Sequence, residues 1–302
     1  MLRVSSVKKN AGLYLLLLPA VTLSFCFAYL PMYGIIIAFK DYRNALGIIG
    51  SPWAEPLFKH FARFFSSPSF STIITNTFVI NFYSLVVMTP LPIIMALAIN
   101  QMRLRVFKRV FQTVTYLPHF ISTVVIVGMM LIMLSPSSGL LGNIYGLFDL
   151  SAPNLIGIPS AFSSVYVWSD VWQHTGWDSI IYIAALSAVD PTLYEAATVD
   201  GANRMQRILH IDLPMILPTA AILLVLRAGN IMNVGFEKVY LMQNNLNLSA
   251  SEVISTYVYK IGIINAQYSY SAAISLFNTA INLALLLSVN FFTKKYSETG
   301  LW

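Results

Sequence analysis

Residues 190–218 read DPTLYEAATVDGANRMQRILHIDLPMILP, and long apolar runs lie on either side at about 161–189 and 215–236. Asp190 before Pro191 has the form of an N-cap followed by proline at the first helical position, which predicts a short helix through Val199. Gly201 supplies a break, because glycine takes left-handed dihedrals at little cost. A second helix follows, with Met205, Ile208 and Leu209 on one side and Arg204 and Arg207 elsewhere, until Pro214 and Pro218 lead into the next apolar run. The stretch therefore reads as a helix-turn-helix elbow. Ala196 and Ala197 give it a small surface beside Glu195, suited to a groove on another protein, with the carboxylate available to a cationic partner. On the residues alone an ordinary amphipathic loop is the plainer alternative, since such punctuation is common.

The flanking runs set the fold class. Of 302 residues 57% are hydrophobic and only 10% charged, with a mean hydropathy of +0.70. A soluble domain carries about a quarter charged residues, so a soluble globular protein is excluded. Six stretches, at about 11–39, 70–100, 110–134, 161–189, 215–236 and 271–292, exceed the roughly 20 residues needed to cross hydrocarbon as helix. The expectation is an all-α polytopic membrane protein with six transmembrane helices in one domain spanning 1–302. The first run follows Lys8 and Lys9 but is too long for a signal-peptide core and has no clear small-residue cleavage site, so it counts as a span. Arg3, Lys8 and Lys9, then Arg103, Arg105, Lys108 and Arg109, then Arg204 and Arg207, then Lys294 and Lys295 fall on one side of these spans. Lys40, Arg43, Lys59, Arg63, Lys238 and Lys260 are spread over longer segments on the other side. The positive-inside rule then places both termini, and the elbow, in the cytoplasm. The net charge of +6 is accounted for by this topology signal, with no nucleic-acid footprint, and Cys26, the only cysteine, allows neither a disulfide framework nor a thiolate metal site. Outside, Phe58, Phe61 and Phe65 share a helical face suited to the membrane surface, and Ser249 with Glu252 has capping-box spacing; simple connectors are the alternative for both.

Ionisable groups at membrane depth are costly and usually face a bundle interior or a wet cavity. In the fourth run Asp170, Gln173, His174, Trp177 and Asp178 recur at spacings of three and four, a polar stripe with one aromatic member. Arg227, Asn230 and Asn233 lie on a similar face of the fifth run, and Ser275, Asn278, Thr279 and Asn282 on the sixth. Sugars need paired donors and acceptors for hydroxyls and aromatic rings for their apolar faces, so this set suits a sugar pathway, with Trp177 and Gln173 the preferred contacts. Equally, Arg227 can pair with Asp170 or Asp178 and the amides can join helices without touching substrate. Trp168 and Trp172 read as interfacial anchors, and His119, after Pro118, as a polar residue at a kink. The histidines His60, His119, His174 and His210 show no tight metal spacing, no G-x-S-x-G elbow occurs, and no catalytic or metal-binding residue is assigned. The remaining rival is an ion- or proton-coupled secondary transporter with an Asp170/Asp178/Arg227 relay, although inverted repeats and paired broken spans are not evident.

The elbow carries one further signal. Glu195-Ala196-Ala197, three residues, Gly201, nine residues, then Ile211-x-Leu213-Pro214 matches at every spacing the EAA motif of binding-protein-dependent ABC importer permeases. The chain also resembles the carbohydrate branch of that family in its basic segment between the second and third runs and in Asn-Val-Gly-Phe-Glu at 233–237. The resemblance implies a bacterial cell-membrane permease for a sugar or oligosaccharide that works by alternating access. It also implies that Glu195, Ala196, Ala197 and Gly201 dock and turn the coupling helix, with Ile211, Leu213 and Pro214 anchoring it to the bundle. Implied partners are a second, unlike permease subunit, two cytoplasmic ATPase subunits and an extracellular solute-binding protein. No G-x-x-x-x-G-K-[ST] phosphate loop occurs, so ATP and Mg would sit on the ATPase partner and no cofactor in this chain.

Overall fold

Within hydrocarbon the backbone can satisfy its own polar groups only as helix or closed barrel, and the computed structural model, which describes residues 10–297, is nearly all helix. Arg3, Lys8 and Lys9 of the topology argument lie outside the described residues. In chain order the main helices are α1 (Ala11–Phe39), α2 (Lys59–Phe65), α3 (Phe70–Asn100), α4 (Arg105–Phe120), α5 (Thr123–Met133), α6 (Leu140–Gly146) and α7 (Pro159–Ser187). They continue with α8 (Pro191–Val199), α9 (Arg204–Ala228), α10 (Phe236–Met242), α11 (Leu248–Ser251), α12 (Ile254–Ile264) and α13 (Tyr268–Ser297). Among the described residues, 4 helices are long and apolar enough to cross a membrane, or up to 6 if each of two bent pairs is one span.

Contacts group these residues into two units, one formed by positions up to 67 with 258–277 and the other by 68–257 with the positions from 278 on, where the sequence reads as a single domain. In the first unit α1 keeps only Ala38 buried. Phe39 meets Phe58 and Phe61 at ring distances of 5.8 and 5.5 Å. Phe64, off the expected aromatic face, is buried in α2 together with His60 and packs on Tyr270 and Phe277. Lys40 is buried with its Nζ donating to the Ile48 and Ile49 carbonyls at 2.8 and 3.0 Å. Beside it, the hydrogen bond from Lys59 to Asp41, at 2.9 Å, holds that carboxyl below the usual carboxylate range, with His60 at 3.2 Å adding to the effect.

In the second unit the sequence expectation of one continuous span over 110–134 gives way to a sharp break: α4 and α5 meet at 98°. Pro118 has no N–H to return to the preceding turn, Ile121 is extended, and Ser122 N-caps α5 through its side chain, accepting from Val125 N at 3.4 Å. The helix that carries the fifth run also differs in extent from the run. It begins at Arg204 rather than near 215, because the turn Ile208–Asp212 carries the elbow's second helix straight into it, and it ends at Ala228, before Gly229. A π-turn does this: Leu213 N–H reaches back to the Ile208 carbonyl just ahead of Pro214, which has no N–H to offer. Ser249 sits in the separate turn α11 rather than capping the helix that starts at Ile254.

Two apolar clusters hold this unit. One joins Ile80, Val127, Phe162, Tyr166, Val167 and Val239, and the other, toward the elbow, joins Ala96, Tyr182, Leu186, Ile216 and Ala220. Between them α4 approaches α7 so closely that a Cβ on Gly176 would collide with the Thr115 carbonyl. Gly176→Ala is expected to lower stability by about 1–3 kcal/mol, the usual cost of overpacking, read as a lower unfolding temperature in detergent. An unchanged unfolding temperature would contradict the close approach.

Candidate substrate pathway and coupling elbow

The polar stripe of α7 divides into two edges. Asp170, His174 and Asp178, spaced by four, face a cleft of about 470 Å³ that Asn81, Ser84 and Met88 of α3, Arg227 of α9 and Asn230 just beyond its end also line. Gln173 and Trp177, spaced by four on the other edge, turn to the break between α4 and α5. Gln173 is buried and its Nε2 donates to the Ile121 carbonyl at 3.1 Å, satisfying a backbone acceptor that the break leaves outside any helix. Trp177 stacks on His119 with ring centres 4.3 Å apart and an interplanar angle of 1°, and Phe120 meets its edge. The two residues expected as sugar contacts thus differ in place: Gln173 serves the helix break, and Trp177 lines a neighbouring hollow with Asp178 and Arg227. The reason is angular, because at 3.6 residues per turn the i+3 and i+4 rows lie on opposite sides of the starting residue.

Charges in the cleft are paired. Arg227 Nη2 donates to Asp178 Oδ2 at 2.5 Å and Nη1 to the Met88 carbonyl at 2.9 Å. That carbonyl is open to it because its helical donor would be the N–H of residue 92, which is proline. Arg227 therefore bridges α9, α7 and α3 in a single crossbar. Asp170 takes Lys238 Nζ at 3.0 Å, with His174 Nδ1 3.3 Å from the same oxygen. Lys238, which sequence reasoning used only as an outer topology charge, is buried and also stands 5.0 Å over the Tyr166 ring. Asp178 thus pairs with Arg227 and Asp170 with Lys238, so each carboxylate has its own cation.

The asparagines form a ladder: Asn233 Nδ2 lies 3.4 Å from Asn230 Oδ1, and Asn278 Nδ2 donates to Asn233 Oδ1 at 2.9 Å. Asn230 and Asn233 line the cleft, while Asn282 is buried and accepts from Met232 N at 3.0 Å, closing the backbone after α9. Asn81 and Ser84 are cleft residues that sequence reasoning missed.

The elbow's local signals act as their chemistry suggests. Asp190 caps α8, accepting from Thr192 N at 2.9 Å, and this backbone hydrogen bond holds its carboxyl below the usual range. Gly201 takes φ +73°, and Asn203 with Gln206 closes a capping box at 2.7 and 2.9 Å. Glu195 and Ala196 are exposed at the bend, Ala197 is half-buried, and a hollow of about 290 Å³ lies between Ala197, Gly201, Arg207 and Ile211. Leu213 packs against the inner cluster, whereas Pro214 is exposed. Helix α8 leaves α7 at 72°.

The crossbar makes a measurable demand. Arg227→Ala is expected to cost about 1.5–3 kcal/mol, the scale for a hydrogen bond to a charged group, and Asp178→Ala a similar amount. The double substitution should cost less than the sum, since neither charge is then left alone. Unfolding of the three variants in detergent measures this, and strict additivity would contradict the pairing.

Comparison with known proteins identifies the family. Residues 88–298 match the family described as binding-protein-dependent transport system inner membrane component. Among curated relatives, the polygalacturonan/rhamnogalacturonan transport system permease protein YteP of Bacillus subtilis is 40% identical over 96% of this chain and 90% of its own length. Protein LplB of the same organism is 38% identical over 99% of this chain and 93% of its own. Among solved structures, a chain of a bacterial ABC transporter involved in import of the acidic polysaccharide alginate superposes with a TM-score of 0.89 at 37% identity, over 97% of this chain and 98% of that one. A second structure of the alginate transporter, in complex with an alginate pentasaccharide-bound periplasmic protein, matches with the same TM-score. The chain belongs to the inner-membrane components of binding-protein-dependent transport systems, as a multi-pass permease subunit.

Proposed function

We propose that this permease forms half of the transmembrane pathway of an ATP-driven importer for an oligosaccharide carrying uronate residues. The observation that carries the substrate class is Arg227, a guanidinium in the cleft whose one carboxylate partner, Asp178, holds it from the side. A guanidinium at the cleft wall favours the planar carboxylate of a uronate over a neutral sugar ring. Asn81, Ser84, Asn230 and Asn233 offer amide and hydroxyl groups for sugar hydroxyls. The relatives support this chemistry, since one is named as a polygalacturonan/rhamnogalacturonan transport system permease and a solved neighbour is a transporter involved in the import of the acidic polysaccharide alginate.

Membership of the family supports the rest of the reading. A second, unlike permease completes the pathway, an extracellular solute-binding protein delivers the oligosaccharide, and two cytoplasmic ATPase subunits hold ATP and Mg. The exposed Glu195–Ala196 edge of α8 docks on an ATPase, Gly201 sets the turn, and closure of the ATPase pair swings the elbow so that the cleft opens to alternate sides of the bacterial cell membrane. Both termini are then cytoplasmic.

Reconstitution of the full assembly in proteoliposomes tests this. Uptake of an oligogalacturonide is expected to need ATP and the binding protein and to exceed that of an uncharged oligosaccharide of equal length. Glu195→Ala is expected to cut uptake about tenfold, as loss of one strong interface residue does, with membrane insertion unchanged. Uptake driven by an ion gradient without ATP, or normal uptake by the Glu195 variant, would overturn the reading.

A further inference from the structure

Asp212 is a carboxylate with no solvent exposure at the end of the π-turn within the first turns of α9. Both its oxygens are taken, and by two other elements. Oδ1 accepts from the Tyr194 hydroxyl of α8 at 2.5 Å, and Oδ2 accepts from Gln101 Nε2 at 3.0 Å, where Gln101 ends α3. A buried charge is retained only where donors replace water, so this carboxylate fixes the elbow helix, the start of α9 and the inner end of α3 at one point. Burial and then the Asp212 carboxylate push the Tyr194 hydroxyl up to about 12, so the phenol keeps its proton for this bond.

The other end of the same stretch of α3 is the crossbar. From Gln101 to Met88 is one nearly continuous helix, about 20 Å by its rise per residue, and Met88 supplies the carbonyl that Arg227 holds. Ala96 in its middle is fully buried against Tyr182 of α7 and Ile216 of α9. A packed helix transmits displacement along its axis rather than absorbing it.

We propose that Asp212, with Tyr194 and Gln101, is a latch that makes the inner half of α3 a push rod, coupling movement of the elbow to the Arg227 crossbar in the cleft. Asp212, Tyr194 and Gln101 are positioning residues: none touches the cleft. The proposal rests on the importer reading above, and it adds a second route from elbow to pathway beside the direct continuation into α9.

The test uses the complete importer with its partner subunits and reads two quantities, ATP hydrolysed and oligosaccharide imported per ATP. Gln101→Leu and Tyr194→Phe are each expected to lower import per ATP by about 5-fold or more, the lower end of typical coupling between sites. Gln101→Leu should keep unstimulated hydrolysis. The double variant, which leaves buried Asp212 with neither donor, should uncouple at least as strongly as the worse single one, and Gln101→Lys, which offers Asp212 a new donor, should restore coupling. Wild-type import per ATP in both single variants would overturn the latch. So would hydrolysis and import falling in proportion together with a lower unfolding temperature, the mark of a merely structural bond. A wild-type assembly without hydrolysis stimulated by the binding protein would instead overturn the importer reading, and the latch with it.

Discussion

A proline that cannot donate leaves a carbonyl that must be satisfied inside the membrane. Pro92 removes the helical partner of the Met88 carbonyl, and Arg227 of α9 supplies the replacement while Asp178 of α7 neutralises the arginine. Water cannot cover such a defect in hydrocarbon, so the surrounding helices must bring a donor to it. Three helices thereby meet at one guanidinium. The cleft, its charge balance and the exposure of Asn81, Ser84 and Asn230 to it follow from where that meeting holds α3, α7 and α9.

The same rule explains the break between α4 and α5. Pro118 ends the first helix, Ser122 starts the second, and Gln173 reaches over to the Ile121 carbonyl between them. His119 and Trp177 stack over the gap. Polar side chains on α7 are thus divided between two tasks, one edge repairing a neighbour's backbone and the other facing the cleft. Charge near the elbow obeys it too, since Asp212 is tolerated in full burial only because a tyrosine and a glutamine donate to it.

Much of this was legible in the residues. Apolar runs with few charges specified an all-helical membrane protein, and Asp190 and Gly201 announced the elbow through capping and turn chemistry that needs no tertiary partner. The EAA spacing then identified the family. What was not legible depends on neighbours far along the chain. Spacings of three and four look like one face in sequence, yet the cleft takes Asp170, His174 and Asp178 while the helix break takes Gln173 and Trp177. Lys238 read as a surface charge because its partner, Asp170, is 68 residues away. Asp212 fell on the unspecified position of the motif, and only the fold shows Tyr194 and Gln101 closing on it.

The most direct test of the account is sided access to the cleft. Cys26 is the only cysteine, so its replacement by serine clears the background for Asn81→Cys, Ser84→Cys and Asn230→Cys. In the assembled importer each is labelled with a membrane-impermeant thiol reagent, added from one face at a time, with and without a non-hydrolysable ATP analogue. The account predicts that all three react from one face without nucleotide and from the opposite face with it. Labelling from the same face in both conditions, or from neither, would contradict a cleft that opens alternately to the two sides of the membrane.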